Sequence, residues 1–275
     1  MRERPVADVL QIALEGRKAN RSKLVKLVSL SFFDHSQADA ILEKLLEEGF
    51  EVSVPSLRAD TLNRRRLELL RLGGQKTLVI APETGSPRLG LRIGKYLPLE
   101  YALSVAAEAR ALGFTGLKLY LMVGLPGESE EDLEKTAEYL RRLSEGSGFK
   151  GVRQLKVTVS PFVPKPHTVL ERQPFIGVRE AKRRIELLRK RLGGIADVRE
   201  YSPKLAWIQT IISRGDADIA RVILYWALRG GSLGAWRAAL KEAGVDPSKY
   251  TSSLTGELPW SFVKIPYVRR RLTSS

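Results

Sequence analysis

Along the first two-thirds of the chain, short apolar runs alternate with stretches in which apolar residues recur every three or four positions. Runs of about strand length fall at 24–31, 51–55, 77–81, 117–123 and 155–160. Each is rich in Leu or β-branched residues, and each is followed by a polar or Gly/Pro loop. Helical spacing covers 37–48, 62–72, 98–112, 130–144 and 178–192. Ser129 with Asp132 has the spacing of a capping box, Pro98 suits a first helical turn, and Gly73 and Gly113 suit helix ends. Strands separated by whole helices pair in parallel through crossovers, so the pattern predicts five parallel strands in an α/β fold, a partial (β/α)6 barrel. A helical stretch over 6–14 comes before the first run with no strand ahead of it, so the barrel is expected to lack its first strand.

Beyond 192 the alternation stops. A short extended piece at 195–199 is followed by helical spacing near 204–213, 216–229 and 232–243, which include Trp207, Trp226 and Trp236. A mixed tail from 250 ends in the basic run 269–271. The expected organisation is a barrel over 1–192 and a helical C-terminal extension over 193–275 packed on it.

At 43% hydrophobic, 275 residues suffice to bury a sizeable core, which sets the chain apart from disordered proteins. No apolar run reaches the ~18 residues of a membrane-spanning helix and the opening residues form no signal peptide, so a cytoplasmic protein with no membrane partner is expected. The chain has no cysteine. That removes disulfides, thiol nucleophiles, thiolate zinc sites and cysteine-held iron–sulfur clusters from anything it does alone. His35 and His167 are its two histidines, which excludes a His-rich metal site. Lys and Arg number 46 against 31 Asp and Glu, a formal charge of +15 with a pI near 10.1. Such a surplus attracts polyanions such as RNA, or an anionic ligand. It fits equally the charge-rich surface of a thermophilic protein, as does the presence of Asn at 20 and 63 alone.

In parallel α/β sheets and barrels, ligands gather at the C-terminal ends of the strands. Here those ends lead into residues 31–35, 55–58, 82–86, 124–128 and 161–168. They direct the carboxylates Asp34, Glu83 and Glu128, the cations Arg58 and Lys165, and the hydroxyls Ser31, Ser56, Thr84 and Ser86 to one rim. That equipment can hold a zwitterion with a ribose. Each segment also has a plain structural reading. Pro82-Glu83-Thr84-Gly85-Ser86 can be a turn with a helix cap, and Glu128 can simply favour a helix N-terminus. His35 and His167 read as hydrogen-bonding loop residues.

Taken in order, four segments carry more. Residues 54–62 (VPSLRADTL), 73–86 (GGQKTLVIAPETGS), 117–128 (LKLYLMVGLPGE) and 160–168 (SPFVPKPHT) together resemble the radical S-adenosylmethionine (SAM) superfamily. More narrowly they resemble the branch whose members often carry a cobalamin-binding domain ahead of the radical SAM core. Residues 212–216 (ISRGD) and 257–260 (ELPW) are similar to that branch too, so the resemblance runs from Arg2 to about residue 265. It implies a [4Fe–4S] cluster on three cysteines, spaced Cys-x3-Cys-x2-Cys after the first barrel strand, that cleaves SAM to a 5′-deoxyadenosyl radical. This chain lacks those cysteines, and its opening MRERPVADV is similar to a segment that follows the third cysteine in relatives. It is therefore expected to begin just after the cluster loop, with a [4Fe–4S] cluster present only if an upstream segment or a partner subunit supplies the cysteines.

The resemblance also assigns cofactor-binding positions. Asp34, within Phe32-Phe33-Asp34 where a Ser-Gly-Asp is family-like, would meet the SAM amino group. Glu83 and Ser86 would reach the ribose or the methionine moiety. Val123 and Gly124 would border the adenine, with Phe162 and Val163 beyond, while Arg58 and Lys165 would bind the SAM carboxylate or substrate anions, with Ser56 beside them. The implied function is SAM-dependent radical chemistry on an unidentified substrate. The alternatives are a cluster-free relative that binds SAM or a nucleotide, and a basic RNA-binding relative without radical catalysis.

Overall fold

The computed structural model describes residues 3–29, 31–55 and 57–264. All five expected strands form: β1 (Leu24–Lys26), β2 (Glu51–Ser53), β3 (Thr77–Glu83), β4 (Gly116–Val123) and β5 (Leu155–Pro161). β1 is confined to three residues of the predicted 24–31 run. A sixth strand, β6 (Asp197–Glu200), pairs in parallel with β5. The extended piece expected at 195–199 therefore belongs to the sheet, and the architecture changes after Glu200 rather than at 192. In sequence β6 is faint because Val198 is its one apolar residue, flanked by Asp197, Arg199 and Glu200. A short, charged strand is typical of a sheet edge, where it discourages pairing with other chains.

All the pairings are parallel, β1 with β2 and β3 through β6 in sequential order. An isolated parallel bridge between Leu57 and Ile80, with the Leu57 N–H donating to the Val79 carbonyl at 3.1 Å, carries the order on from β2 to β3. The five expected strands with helices between them make the partial (β/α)6 barrel, and β6 adds one more parallel strand beside β5. Among the described residues no strand precedes α1 (Val6–Asn20), which packs on α2 (Ala38–Glu47).

The strands alternate between two faces, as extended chain must. Leu78, Ile80, Leu117, Leu119, Leu121, Val157 and Val159 are buried against the helical layer of α3 (Arg64–Leu72), α5 (Leu99–Ala111), α6 (Glu130–Ser147) and α8 (Val178–Arg191). The other face carries half-buried Val79, Lys118, Tyr120, Met122, Thr158 and Ser160. Helix ends follow the sequence signals: Ser129 and Asp132 close a reciprocal capping box on α6, and Gly73 caps α3. Short helices α4 (Pro87–Arg92) and α7 (Gly151–Gln154) interrupt the loops before α5 and β5.

After β6 come α9 (Pro203–Ser213), α10 (Ala217–Leu228), α11 (Leu233–Glu242) and α12 (Ser248–Thr251). α9 lies against α8 and β5. These helices share a second apolar cluster of Ile208, Ile211, Ile219, Val222, Trp236, Leu240 and Tyr250, in which Trp236 meets Trp226 edge to face at 5.0 Å. No helix among the described residues is long and apolar enough to cross a membrane.

Candidate functional site

A ladder of alternating charges crosses the C-terminal ends of β1, β2 and β3. Asp34, in the turn after β1, places Oδ2 3.6 Å from Nη1 of Arg58. Arg58, in the segment after β2, donates from Nη2 and Nε to the two carboxylate oxygens of Asp60 at 2.5 and 3.1 Å. That fork holds the Asp60 carboxyl below the usual range, and Asp60 in turn raises the Arg58 guanidinium. Lys95, beyond α4, adds a weaker pull on Asp60 and forms an ion pair with Glu83 at the end of β3. Three carboxylates and two cations thus alternate along one rim.

Glu83 reaches this ladder because β3 breaks its own alternation. Pro82 has no N–H to give to a neighbouring strand, and the pairing with β4 slips between Ile80 and Glu83. Glu83 emerges with φ of 65°, a left-handed backbone that a residue with a side chain enters only under constraint.

The rest of that motif turns inward and docks on α6. Thr84 Oγ1 lies 3.2 Å from Thr136 Oγ1, which also accepts the Gly85 N–H at 3.1 Å. Ser86 donates from Oγ to Asp132 Oδ1 at 2.6 Å and caps α4 by accepting the Leu89 N–H. Thr84 and Ser86 are completely enclosed. Ser86, assigned by the resemblance to the ribose or methionine moiety, serves here as part of a latch between the turn and α6.

A second latch holds the turn after β4. Glu128 accepts the Gly124 N–H and an Arg184 N–H, each at 2.7 Å, on a side chain only 2% exposed. Burial pushes its carboxyl up, against the pull of Gly124 and Arg184. Glu128 thus leaves the rim that the sequence assigned to it. Val123 is buried in the main apolar core. Gly124 has φ of 79°, and a Cβ there would sit 2.6 Å from Ile176 Cγ2. Phe162 donates its N–H to the Val123 carbonyl at 2.8 Å and packs with Leu89 and Leu125, with half-buried Val163 next to it. Val123, Gly124 and Phe162 form the rim's foundation and leave Val163 nearer the surface. Ser56 lies outside the described residues.

Lys165 points to the C-terminal helices, where Nζ donates to Ser213 Oγ at 2.9 Å, and burial pushes its ammonium down. The residue after Ser213, fully buried Arg214, donates to the carbonyls of Gln173 and Ser252 at 3.0 and 2.9 Å. Glu171 accepts the His167 N–H at 2.7 Å and the Trp260 Nε1–H at 2.9 Å. Residues 212–216 and 257–260 therefore fasten the extension to the loop after β5. His35 contacts the Arg4 carbonyl through Nε2 at 3.0 Å.

Sequence reasoning missed two rim residues. Asp60 stands two positions after Arg58, a spacing that could have signalled the fork. Lys95 lies twelve residues from Glu83 with no local signal for the pairing.

A 225-residue stretch, 82% of the chain, is 32% identical to an uncharacterized protein of Methanocaldococcus jannaschii, of which it covers 48%. A 101-residue stretch, 36% of the chain, is 27% identical to an uncharacterized methyltransferase of Pyrococcus horikoshii, of which it covers 22%. The chain thus spans about half or less of the curated relatives it matches. Coproporphyrinogen III oxidase (HemN) from Escherichia coli, whose structure is titled that of a radical SAM enzyme, aligns over 56% of this chain and 36% of its own, at 20% identity and a TM-score of 0.43. The radical SAM superfamily model matches residues 1–140, more than half of the 275, and over that stretch run the first four parallel strands and the charged rim at their ends: the chain belongs to the radical SAM superfamily.

Proposed function

We propose that this chain binds SAM on the charge ladder at the ends of β1 to β3, as the cofactor-holding part of a radical SAM protein. The alternation of Asp34, Arg58, Asp60, Lys95 and Glu83 carries the reading, since the amino-acid end of SAM is itself a zwitterion. Its ammonium suits Asp34 or Glu83 and its carboxylate suits Arg58 or Lys95, each by charge-assisted hydrogen bonds. The strain at Glu83 supports the same reading, because a backbone held in a sparse region of φ/ψ points to a functional demand.

The chain's own residues do not fit a [4Fe–4S] cluster. It contains no cysteine, and no group of three or more Asp, Glu or His among the described residues could hold a metal ion. Reductive opening of the SAM sulfonium, the chemistry such a cluster supplies in the family, therefore calls for cysteines from outside residues 1–275, on an upstream segment or a partner subunit. β1 offers a place for such a segment. It pairs with β2 alone among the described residues, and beside it lies a cavity of about 600 Å³ lined by Ile12, Val25, Leu27, Val28 and Phe32. An extended segment laid there parallel to β1 would connect through α1 as an ordinary crossover and end near Asp34.

The lack of cysteine favours a second reading, use of SAM without radical chemistry. Methyl transfer is its concrete form, given the description of the Pyrococcus relative. Calorimetric titration with SAM tests the shared core of both readings. Saturable binding is expected, weakened about tenfold or more by Glu83→Gln and by Arg58→Gln with the melting temperature unchanged, the loss of one charge-assisted hydrogen bond. Unchanged affinity in both variants, or no saturable heat in the parent, would overturn the assignment. With a cysteine-bearing segment present, release of 5′-deoxyadenosine marks the radical reading and S-adenosylhomocysteine the other.

A further inference from the structure

A cavity of about 290 Å³ opens between the starts of α8, α9 and α11, away from the rim ladder. Its walls are Val178, Lys204, half-buried Trp207, Ile208, Leu233, Gly234 and Arg237, with no carboxylate among them. Lys204 and Arg237 are exposed, and neither has a carboxylate partner among the described residues. The carboxylates on the surrounding elements are spent elsewhere: Glu180 on Arg183 and Arg184, Glu186 and Glu200 on Arg189, Asp197 on Arg199, and Glu242 on Arg229. α9 itself contains none. Arg179 and Lys182 on α8 and Lys241 on α11 add three further cations without ion-pair partners among the described residues.

Gly234 adds an independent sign. Its backbone is not left-handed, and a Cβ there would meet only Ser232 Oγ at 3.9 Å. Neither conformation nor crowding requires a glycine, although glycine weakens a helix relative to alanine. What its missing side chain does is leave the wall of the cavity open.

We propose that this cavity seats one nucleotide of a single-stranded RNA, with the base against Trp207 and the phosphate between Lys204 and Arg237. An aromatic face beside unpaired cations is the combination by which single strands are held without regard to sequence. The volume suits one base with its sugar, and flanking phosphates meet Arg179, Lys182 and Lys241. The proposal is independent of SAM binding.

The test is fluorescence anisotropy of the full chain with a labelled mixed-sequence 12-nucleotide RNA between 50 and 200 mM salt. The double variant Lys204→Glu/Arg237→Glu is expected to bind at least tenfold more weakly and to lower the slope of log affinity against log salt by about 0.7, one phosphate on a single strand. Trp207→Ala should weaken binding about fivefold or more, with Trp207→Phe restoring it. Gly234→Leu fills the opening without touching charge and should weaken binding while the melting temperature holds or rises, so lost folding cannot mimic the effect. The remote pair Lys150→Glu/Arg153→Glu should change affinity less than threefold. Equal losses from the remote pair, full binding by Gly234→Leu, or equal displacement of the RNA by polyglutamate would each overturn the proposal in favour of diffuse charge attraction.

Discussion

Replacing Asp132 by alanine is expected to lower the stability of the folded chain by about 3–5 kcal/mol, the range for removing one partner of a buried charged network. Asp132 stands in the first turn of α6, 2% exposed, and accepts hydrogen bonds from Ser86 Oγ at 2.6 Å, Ser129 N–H at 2.8 Å and Ser129 Oγ at 2.7 Å, besides an ion pair with Arg88. Alanine leaves all those donors without their acceptor and removes a negative charge from a helix N-terminus. Desolvation alone would raise the Asp132 carboxyl, but the bonds from Ser86, Ser129 and Arg88 outweigh it and hold the group well below the usual carboxylate range. A depressed folded-state pKa fixes the sign of the pH dependence. The contribution is complete above about pH 5, where an unfolded aspartate is almost fully ionised, and is lost progressively as pH falls further. Urea unfolding followed by circular dichroism at pH 7 and pH 3 checks both points. Asp132→Asn should lose less at pH 7 and show a flatter decline at low pH. An Asp132→Ala chain within 1 kcal/mol of the parent at pH 7 would refute the network's role.

The same network shows which parts of the site were legible in sequence. Period-two burial in 77–81, 117–123 and 155–160 is visible because each run puts large aliphatics on one face, and those strands form. β6 escapes because a charged edge strand has no such face. At the rim, the order of the motifs points to the right loops but not to the direction of each side chain. Of Glu83, Thr84 and Ser86, the first faces the ladder and the other two face α6, since Pro82 shifts the register just before them. Pro82 marks a break in the strand, but the sequence does not say which way the residues after it turn. Lys165 with Ser213, 48 residues apart, and Lys95 with Glu83 are tertiary pairings, and only packing of the C-terminal helices or closure of the α4 turn creates them. Thr136, which receives both Thr84 and Gly85, reads in sequence as one more position of an amphipathic helix.

Gly85 yields the sharpest separation between a turn that merely tolerates glycine and one that requires it. A Cβ at Gly85 would lie 2.5 Å from Tyr139 Cβ and 2.8 Å from Thr136 Cα. The second atom is helix backbone and cannot swing aside. Gly85→Ala must therefore lift the turn off α6, stretching the Gly85 N–H bond to Thr136 Oγ1 and the Thr84–Thr136 contact with it. Overpacking with a backbone shift costs typically 1–3 kcal/mol, and the lost hydrogen bonds bring the expected destabilisation to about 3 kcal/mol or more. Since Glu83 is two residues away, SAM affinity should fall as well. Gly146 supplies the internal comparison. A Cβ there would lie 2.7 Å from Leu103 Cδ2, nearly as close, but that atom is the free end of a side chain with other rotamers. Gly146 also sits in the last turn of α6, where alanine gains up to about 1 kcal/mol in helix propensity. Gly146→Ala is expected within about 1 kcal/mol of the parent in the same urea titration, the gain offsetting the repacking. Equal effects from the two substitutions would mean that the turn after β3 is not pressed against α6, and the account of how Glu83 is held at the rim would fall with it.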